Sequence, residues 1–66
     1  MITVTLIDVA DDVEIGLWAK EHCSSFNGWV EIGINPEQLW NNYIYYFEDE
    51  KDAVIFQLRW QGQNND

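Results

Sequence analysis

Residues 43–60 read YIYYFEDEKDAVIFQLRW and contain the strongest strand signal of the chain, an acidic turn and the segment that decides the fold. The first five residues, Tyr43–Phe47, favour a pleated and half-buried surface, because aromatic and β-branched side chains pack well against neighbouring strands. A strand alternates its side chains between two faces. One face carries Tyr43, Tyr45 and Phe47, and the other carries Ile44 and Tyr46.

The acidic residues that follow are typical of the start of a helix. Carboxylates at this position accept hydrogen bonds from free N–H groups and oppose the positive end of the helix dipole. Asp49 is the predicted N-cap, and Asp52 is a weaker substitute for the Glu of a capping box.

Residues 53–60 fit two periodicities. At helical spacing Ala53, Phe56 and Trp60 share a face, whereas at strand spacing the even-numbered residues do. The acidic start and the late Arg59 suit the two ends of a helix, and Gly62 is a stop signal. We predict a helix. The alternative is a fourth strand, which would leave a single helix on a small, mostly antiparallel sheet.

The preceding residues predict two more strands and one more helix. Ile2–Val9 and Trp29–Ile34 are rich in β-favouring residues. Between them, Val13–Cys23 has helical periodicity and follows two capping carboxylates, Asp11 and Asp12. Gly16 inside this helix costs about 1 kcal/mol relative to Ala and would allow a close approach to the sheet.

Turn residues mark the connections. Ser24–Gly28 is predicted to be a loop, with a turn at Asn27-Gly28. Asn35-Pro36 ends the second strand, because proline has no N–H to donate and restricts the residue before it. Pro36–Asn42 could hold one helical turn.

The predicted order is β-α-β-β-α, an α+β two-layer sandwich in which two helices cover one face of a three-stranded sheet. A right-handed crossover makes the first two strands parallel, and the third is antiparallel to the second. The arrangement is like a split βαβ fold that lacks its final strand. We expect one domain over residues 1–61, a frayed polar tail over 62–66, and a second sheet face that is open or used for binding.

The composition limits the partners. The chain has 66 residues, 47% of them hydrophobic, and a formal net charge of −9. Direct binding to nucleic acid or to an anionic membrane is disfavoured, because both need basic residues. The charge favours a protein with a basic surface. The alternative, of about equal weight, is that acidity only provides solubility.

No catalytic, metal or cofactor site is predicted. The acidic run after residue 47 lacks the order of a calcium loop. His22 and Cys23 are adjacent, so on a helix they point about 100° apart and form a poor nucleophile–base pair. The single cysteine excludes an internal disulfide, and the start of the chain does not resemble a signal peptide. We expect a non-enzymatic protein of the cytoplasm.

Trp40 is the best candidate for a binding residue. It lies beside Leu39 in a loop-like stretch, whereas the other tryptophans fall in predicted elements and can supply the core. An exposed aromatic residue near carboxylates is a plausible centre of a protein interface. The predicted partner-binding residues are Leu39, Trp40, Asp11, Asp12, Glu14, Glu48, Asp49, Glu50 and Asp52.

Two function classes follow. The first is a small protein-binding module, such as an inhibitor, with DNA mimicry as a special case in which carboxylates imitate phosphates. The second is a structural or assembly subunit that self-associates, whose melting would depend on its concentration. The oligomeric state expected is a monomer or a weak homodimer.

About a third of the chain carries a family resemblance. The residues are Tyr46-Phe47, Asp49–Ala53 (DEKDA), Phe56 and Leu58-Arg59-Trp60. This segment resembles small acidic proteins of T4-like tailed bacteriophages of marine bacteria. The resemblance implies a viral origin and a location in the host cytoplasm, and it supplies no activity to carry over.

Overall fold

The computed structural model describes residues 1–33 and 36–60. Its elements are β1 (Ile2–Leu6), α1 (Asp12–His22), β2 (Phe26–Gly33), β3 (Asn42–Phe47) and α2 (Glu50–Trp60). The predicted α+β fold and the order β-α-β-β-α are confirmed. The predictions for residues 34, 35 and 61–66, including the Gly62 stop signal and the polar tail, lie outside the described residues.

β3 is the central strand of the sheet, which has the order β1-β3-β2. Both neighbours are antiparallel to it, and Tyr45 lies opposite Val4 of β1 and Trp29 of β2. β1 and β2 therefore run in the same direction with β3 inserted between them. This is the split βαβ arrangement that the sequence predicts.

The core lies between the sheet and the two helices. Its buried residues are Val4, Leu6, Val9, Ile15, Ala19, Cys23, Tyr45, Phe47, Ala53, Phe56 and Trp60. Phe56 of α2 contacts the rings of Tyr45 and Phe47 at centroid distances of 4.9 and 5.0 Å. Because the core-facing residues of all three strands point the same way, both helices cover one face and leave the other open.

The helical interpretation of residues 53–60 is correct, because Ala53, Phe56 and Trp60 are the buried residues of α2. Asp49 precedes the helix, and its carboxylate accepts the N–H of Lys51 at 3.0 Å. The capping-box role predicted for Asp52 is wrong. Ser25 bonds to both residues instead: its hydroxyl accepts the N–H of Asp49, and its own N–H donates to the carboxylate of Asp52 at 2.9 Å.

The loop predicted over residues 24–28 is confirmed at Ser24 and Ser25, which form a turn, and is wrong from Phe26 onwards, where β2 begins. The ring of Phe26 lies 5.4 Å from that of Phe47, and this cross-strand packing outweighs the local turn preference. Gly28 has a φ of +112° and lies where the pairing register shifts between Phe26 and Trp29. Asn27-Gly28 thus makes a bulge inside the strand instead of a turn.

The first strand is shorter than predicted. It ends at Leu6 because Asp8 has a positive φ of +55°, which breaks the extended backbone. Val9 nevertheless remains in the core. Residues 36–41 form a turn and a bend without a helix.

Gly16 allows the close approach that the sequence predicts. A Cβ at this position would lie 2.5 Å from two ring carbons of Trp29. The indole N–H of Trp29 donates to the carboxylate of Asp12 at 2.8 Å, and its ring is stacked against that of Tyr45. The first turn of α1 is therefore attached to the sheet through one tryptophan.

Candidate protein-binding surface

Leu39 and Trp40 are exposed, with 73% and 44% of their surfaces accessible to solvent. The other three tryptophans are less exposed than Trp40: Trp60 is in the core, Trp18 packs edge-on against it, and Trp29 covers Gly16. The prediction that Trp40 is the tryptophan left outside is confirmed.

The backbone of this exposed pair is held by Asp8. One carboxylate oxygen of Asp8, Oδ1, accepts the N–H of Leu39 at 3.1 Å and that of Trp40 at 2.8 Å. The N–H of Asp8 donates in turn to the side-chain oxygen of Asn42 at 2.9 Å. These bonds join the loop before β3 to the loop after β1, so two segments about 30 residues apart form one unit.

We call this unit the Asp8 corner and define it as Ile7, Asp8, Leu39 and Trp40. Ile7 is half-exposed and follows the last residue of β1. The corner therefore combines three exposed apolar side chains with a backbone fixed by charge-assisted hydrogen bonds. Sequence reasoning missed Asp8 and Ile7. The one available signal was a carboxylate inside an otherwise apolar strand pattern.

The first group of predicted acidic residues, Asp11, Asp12 and Glu14, lies at the same end of the sheet as the Asp8 corner, where α1 begins. Asp11 is the N-cap and accepts the N–H of Glu14 at 3.1 Å. Asp12 binds the indole of Trp29, as described above. Two of the three predicted carboxylates thus have structural roles, and Glu14 has an exposed side chain.

The second group of predicted acidic residues, Glu48, Asp49, Glu50 and Asp52, lies at the opposite end of the sheet, where β3 ends and α2 begins. Glu48 accepts the side-chain N–H of Asn27 at 3.1 Å, and Glu50 is exposed. Hydrogen bonds from the hydroxyl and the N–H of Ser25 lower the pKa of Asp52. The structure consequently divides the predicted binding residues between the two ends of the sheet and places only Asp11, Asp12 and Glu14 near Leu39 and Trp40.

His22 and Cys23 have different surroundings. Burial, with a smaller contribution from the charge of Asp52, raises the pKa of the Cys23 thiol. His22 stacks on the ring of Trp18 at 4.5 Å, and its Nδ1 lies 3.0 Å from the carbonyl oxygen of the same residue. Within residues 1–33 and 36–60, no three His, Cys, Asp or Glu side chains are grouped so as to hold a metal ion.

The face of the sheet away from the helices is a second exposed surface. The cross-strand pairs on it are Thr3 with Tyr46, Thr5 with Ile44, and Val30 with Ile44. We call these five residues the open sheet face. None of them is charged, in contrast to the acidic ends of the sheet.

No protein-family model, no curated protein and no solved structure matches this chain. None of the helices in the described part of the chain has the length and apolarity needed to cross a membrane.

Proposed function

We propose that this chain is a small acidic module that binds a protein with a basic surface, and that the Asp8 corner is the centre of its interface. The observation that carries the proposal is the combination of exposure and fixation at Leu39 and Trp40. Both side chains are exposed while one carboxylate holds both of their N–H groups.

A fixed exposed tryptophan favours binding for a thermodynamic reason. Ordering a loop on binding costs free energy, and a loop that is already ordered avoids this cost. Tryptophan is also enriched among the residues that dominate binding energies. Neither Leu39 nor Trp40 belongs to the core or to the partly buried hydrophobic residues packed against it.

The charge of the chain determines the class of partner. At −9, the chain attracts basic surfaces and repels acidic ones, which affects the rate of association and the choice of partner. Besides Asp8 itself, the carboxylates nearest in sequence to the corner are Glu37, two residues before Leu39, and Asp11, three residues after Asp8. A partner with Lys or Arg around an apolar pocket would complement it.

A narrower form of the proposal is a phage-encoded inhibitor or modulator of a host protein, acting in the host cytoplasm. The resemblance of the C-terminal segment to phage proteins supports it. DNA mimicry is narrower still and needs carboxylates in a row on one face. Asp11, Asp12 and Asp52 are engaged in internal hydrogen bonds, so mimicry has less support than binding through an apolar corner.

The test is affinity capture from a cell extract at low and high salt with three matched proteins: the wild type, Trp40→Ala and Leu58→Ala. Leu58 is the control because it is an exposed apolar residue of α2, an element outside the Asp8 corner, with 75% of its surface accessible. We expect the wild type and Leu58→Ala to capture the same basic protein at low salt and to release it at high salt. Trp40→Ala should not capture this protein.

Equal capture by Trp40→Ala and the wild type would exclude the Asp8 corner as the centre of the interface. If the captured protein binds nucleic acid, competition with duplex DNA decides the mimicry form: displacement of the chain by DNA supports it, and joint binding contradicts it.

The second candidate function is a self-associating assembly subunit, and the open sheet face is the observation that favours it. It is uncharged, so two copies could meet there without opposing carboxylates. A melting temperature that rises with protein concentration would support this function. A concentration-independent melting temperature would exclude it.

A further inference from the structure

The two outer strands of the described sheet differ in how they could accept another strand. β2 has two register shifts and carries Glu31, and both features hinder the pairing of a further strand. β1 reads ITVTL, pairs with β3 without a register shift, and contains neither a charge nor a proline. In the part of the chain that the structure describes, β1 is an outer strand, and no further strand pairs with its outer N–H and C=O groups.

The surroundings of the β1 edge have a defined chemistry. α2 packs over β1 and β3, and Asp52 faces Ser25 on the β2 side. Glu50 and Val54 are each two residues from Asp52, so helix geometry turns them about 200° away, towards the β1 side. Val54 is half-exposed there.

Carboxylates flank both ends of this edge. Glu50 is close to the Ile2 end, because α2 begins just after Phe47, which pairs with Ile2. Asp8 is two residues beyond Leu6 at the other end, where the Asp8 corner begins. The edge is thus a neutral stretch of five residues, about 17 Å long, with acidic groups at either end.

We propose that the β1 edge binds an extended peptide segment of a basic partner protein as a fourth strand. This inference rests on the proposed function, because the segment belongs to the same basic partner. The segment has about five uncharged, β-favouring residues between Lys or Arg residues. Its main chain pairs with β1, and its basic ends lie near Glu50 and Asp8.

Each part of the segment has a partner surface. Alternate side chains point to the two faces of the extended sheet, so one set lies beside Val54 and the other beside Thr3 and Thr5. At the Leu6 end the segment reaches Ile7, which belongs to the Asp8 corner. A second copy of this chain fits the edge less well, because it brings together two proteins of charge −9.

The probe is a synthetic peptide, Lys-Arg-Val-Thr-Val-Thr-Val-Arg-Lys, in three forms: unmodified, N-methylated on its Val amides, and N-methylated on its Thr amides. Methylation removes N–H donors, three in the Val form and two in the Thr form, and preserves charge, so the two methylated forms are charge-matched controls. In a strand only alternate amides face the neighbour.

We expect the unmodified peptide to bind, to slow amide hydrogen exchange across Ile2–Leu6, and to bind more weakly as salt rises. One methylated form should lose affinity by about tenfold or more, whereas the other should bind like the unmodified peptide. A counterpart with Glu in place of Lys and Arg should not bind.

Equal affinity of both methylated forms, or binding without slowed exchange in β1, would overturn strand addition and reduce the contact to charge attraction. A dimer whose β1 amides are already protected would overturn it in favour of a second copy. These outcomes are separate from the capture experiment, since loss of capture by Trp40→Ala supports the proposed function even if no peptide binds the edge.

Discussion

The two ends of the sheet use the same device for different purposes. At each end an aspartate carboxylate accepts backbone N–H groups from a distant segment: Asp52 from Ser25, and Asp8 from Leu39 and Trp40. At the Asp52 end the tether lies beside Cys23, Ala53 and Phe47, which are all buried. At the Asp8 end the tether holds the backbone of two residues whose apolar side chains are exposed.

This difference separates a structural tether from a candidate functional one. A tether over buried residues keeps the core closed, and folding alone explains it. A tether under exposed apolar residues orders a part of the backbone whose side chains lie outside the core. The Asp8 end is therefore the better candidate for a binding site.

The largest expected effect is a contrast in stability between the two ends. Phe47→Ala removes a fully buried ring and should lower the free energy of unfolding by about 3–5 kcal/mol. Trp40→Ala removes an exposed ring and should change it by about 0.5 kcal/mol or less. Chemical denaturation followed by circular dichroism checks both values, and a large loss in Trp40→Ala would show that the corner is part of the core.

Gly16→Ala should have the next largest effect, because the new methyl group collides with Trp29. Overpacking of this kind costs about 1–3 kcal/mol, against a gain of up to about 1 kcal/mol in helix propensity. We expect a lower melting temperature. The same substitution together with Trp29→Leu should be tolerated better, and a Gly16→Ala protein that is more stable than the wild type would contradict the close contact.

A charge-matched pair tests the tether of the Asp8 corner. Asp8→Asn keeps an acceptor oxygen and a residue that tolerates positive φ, whereas Asp8→Gly keeps the backbone conformation without the acceptor. Both lose one negative charge. We expect Asp8→Asn to retain partner capture and Asp8→Gly to lower it, with stability changes of about 1 kcal/mol or less. Equal capture by the two variants would mean that the tether does not contribute to binding.

The smallest expected effect is the pH dependence of stability that Asp52 contributes at the opposite end of the sheet. The pKa of Asp52 is lowered in the folded state, so its ionised form stabilises the fold above the ordinary carboxyl pKa of roughly 4. This stabilisation is lost as the pH falls through the lower folded pKa. An NMR titration of the carboxyl group should show a higher pKa in Ser25→Ala than in the wild type, and an unchanged value would exclude the Ser25 hydroxyl as its cause.

Local sequence signals predict most of the fold but less of the candidate site. The strand at residues 43–47 and the acidic start of α2 are predictable because each depends on neighbouring residues. The β2 start and the role of Ser25 were missed because they depend on Phe47 and on α2, which are distant in sequence. Trp40 was found because it lies outside a periodic element, whereas its partner Asp8 was missed because their hydrogen bond spans 32 positions.

The sequence by itself determined the element order, the acidic charge and the alternation that puts Tyr45 and Phe47 in the core, since these follow from composition and from short-range periodicity. Only the tertiary structure decided that the two acidic groups lie at opposite ends of the sheet, that Asp8 holds the backbone of Leu39 and Trp40, and that β1 is an outer strand of the described sheet with a regular register. These features depend on which strands pair and on which loops meet. That outcome is set by the packing of the whole core around Tyr45, Phe47 and Phe56, and no local segment contains the information.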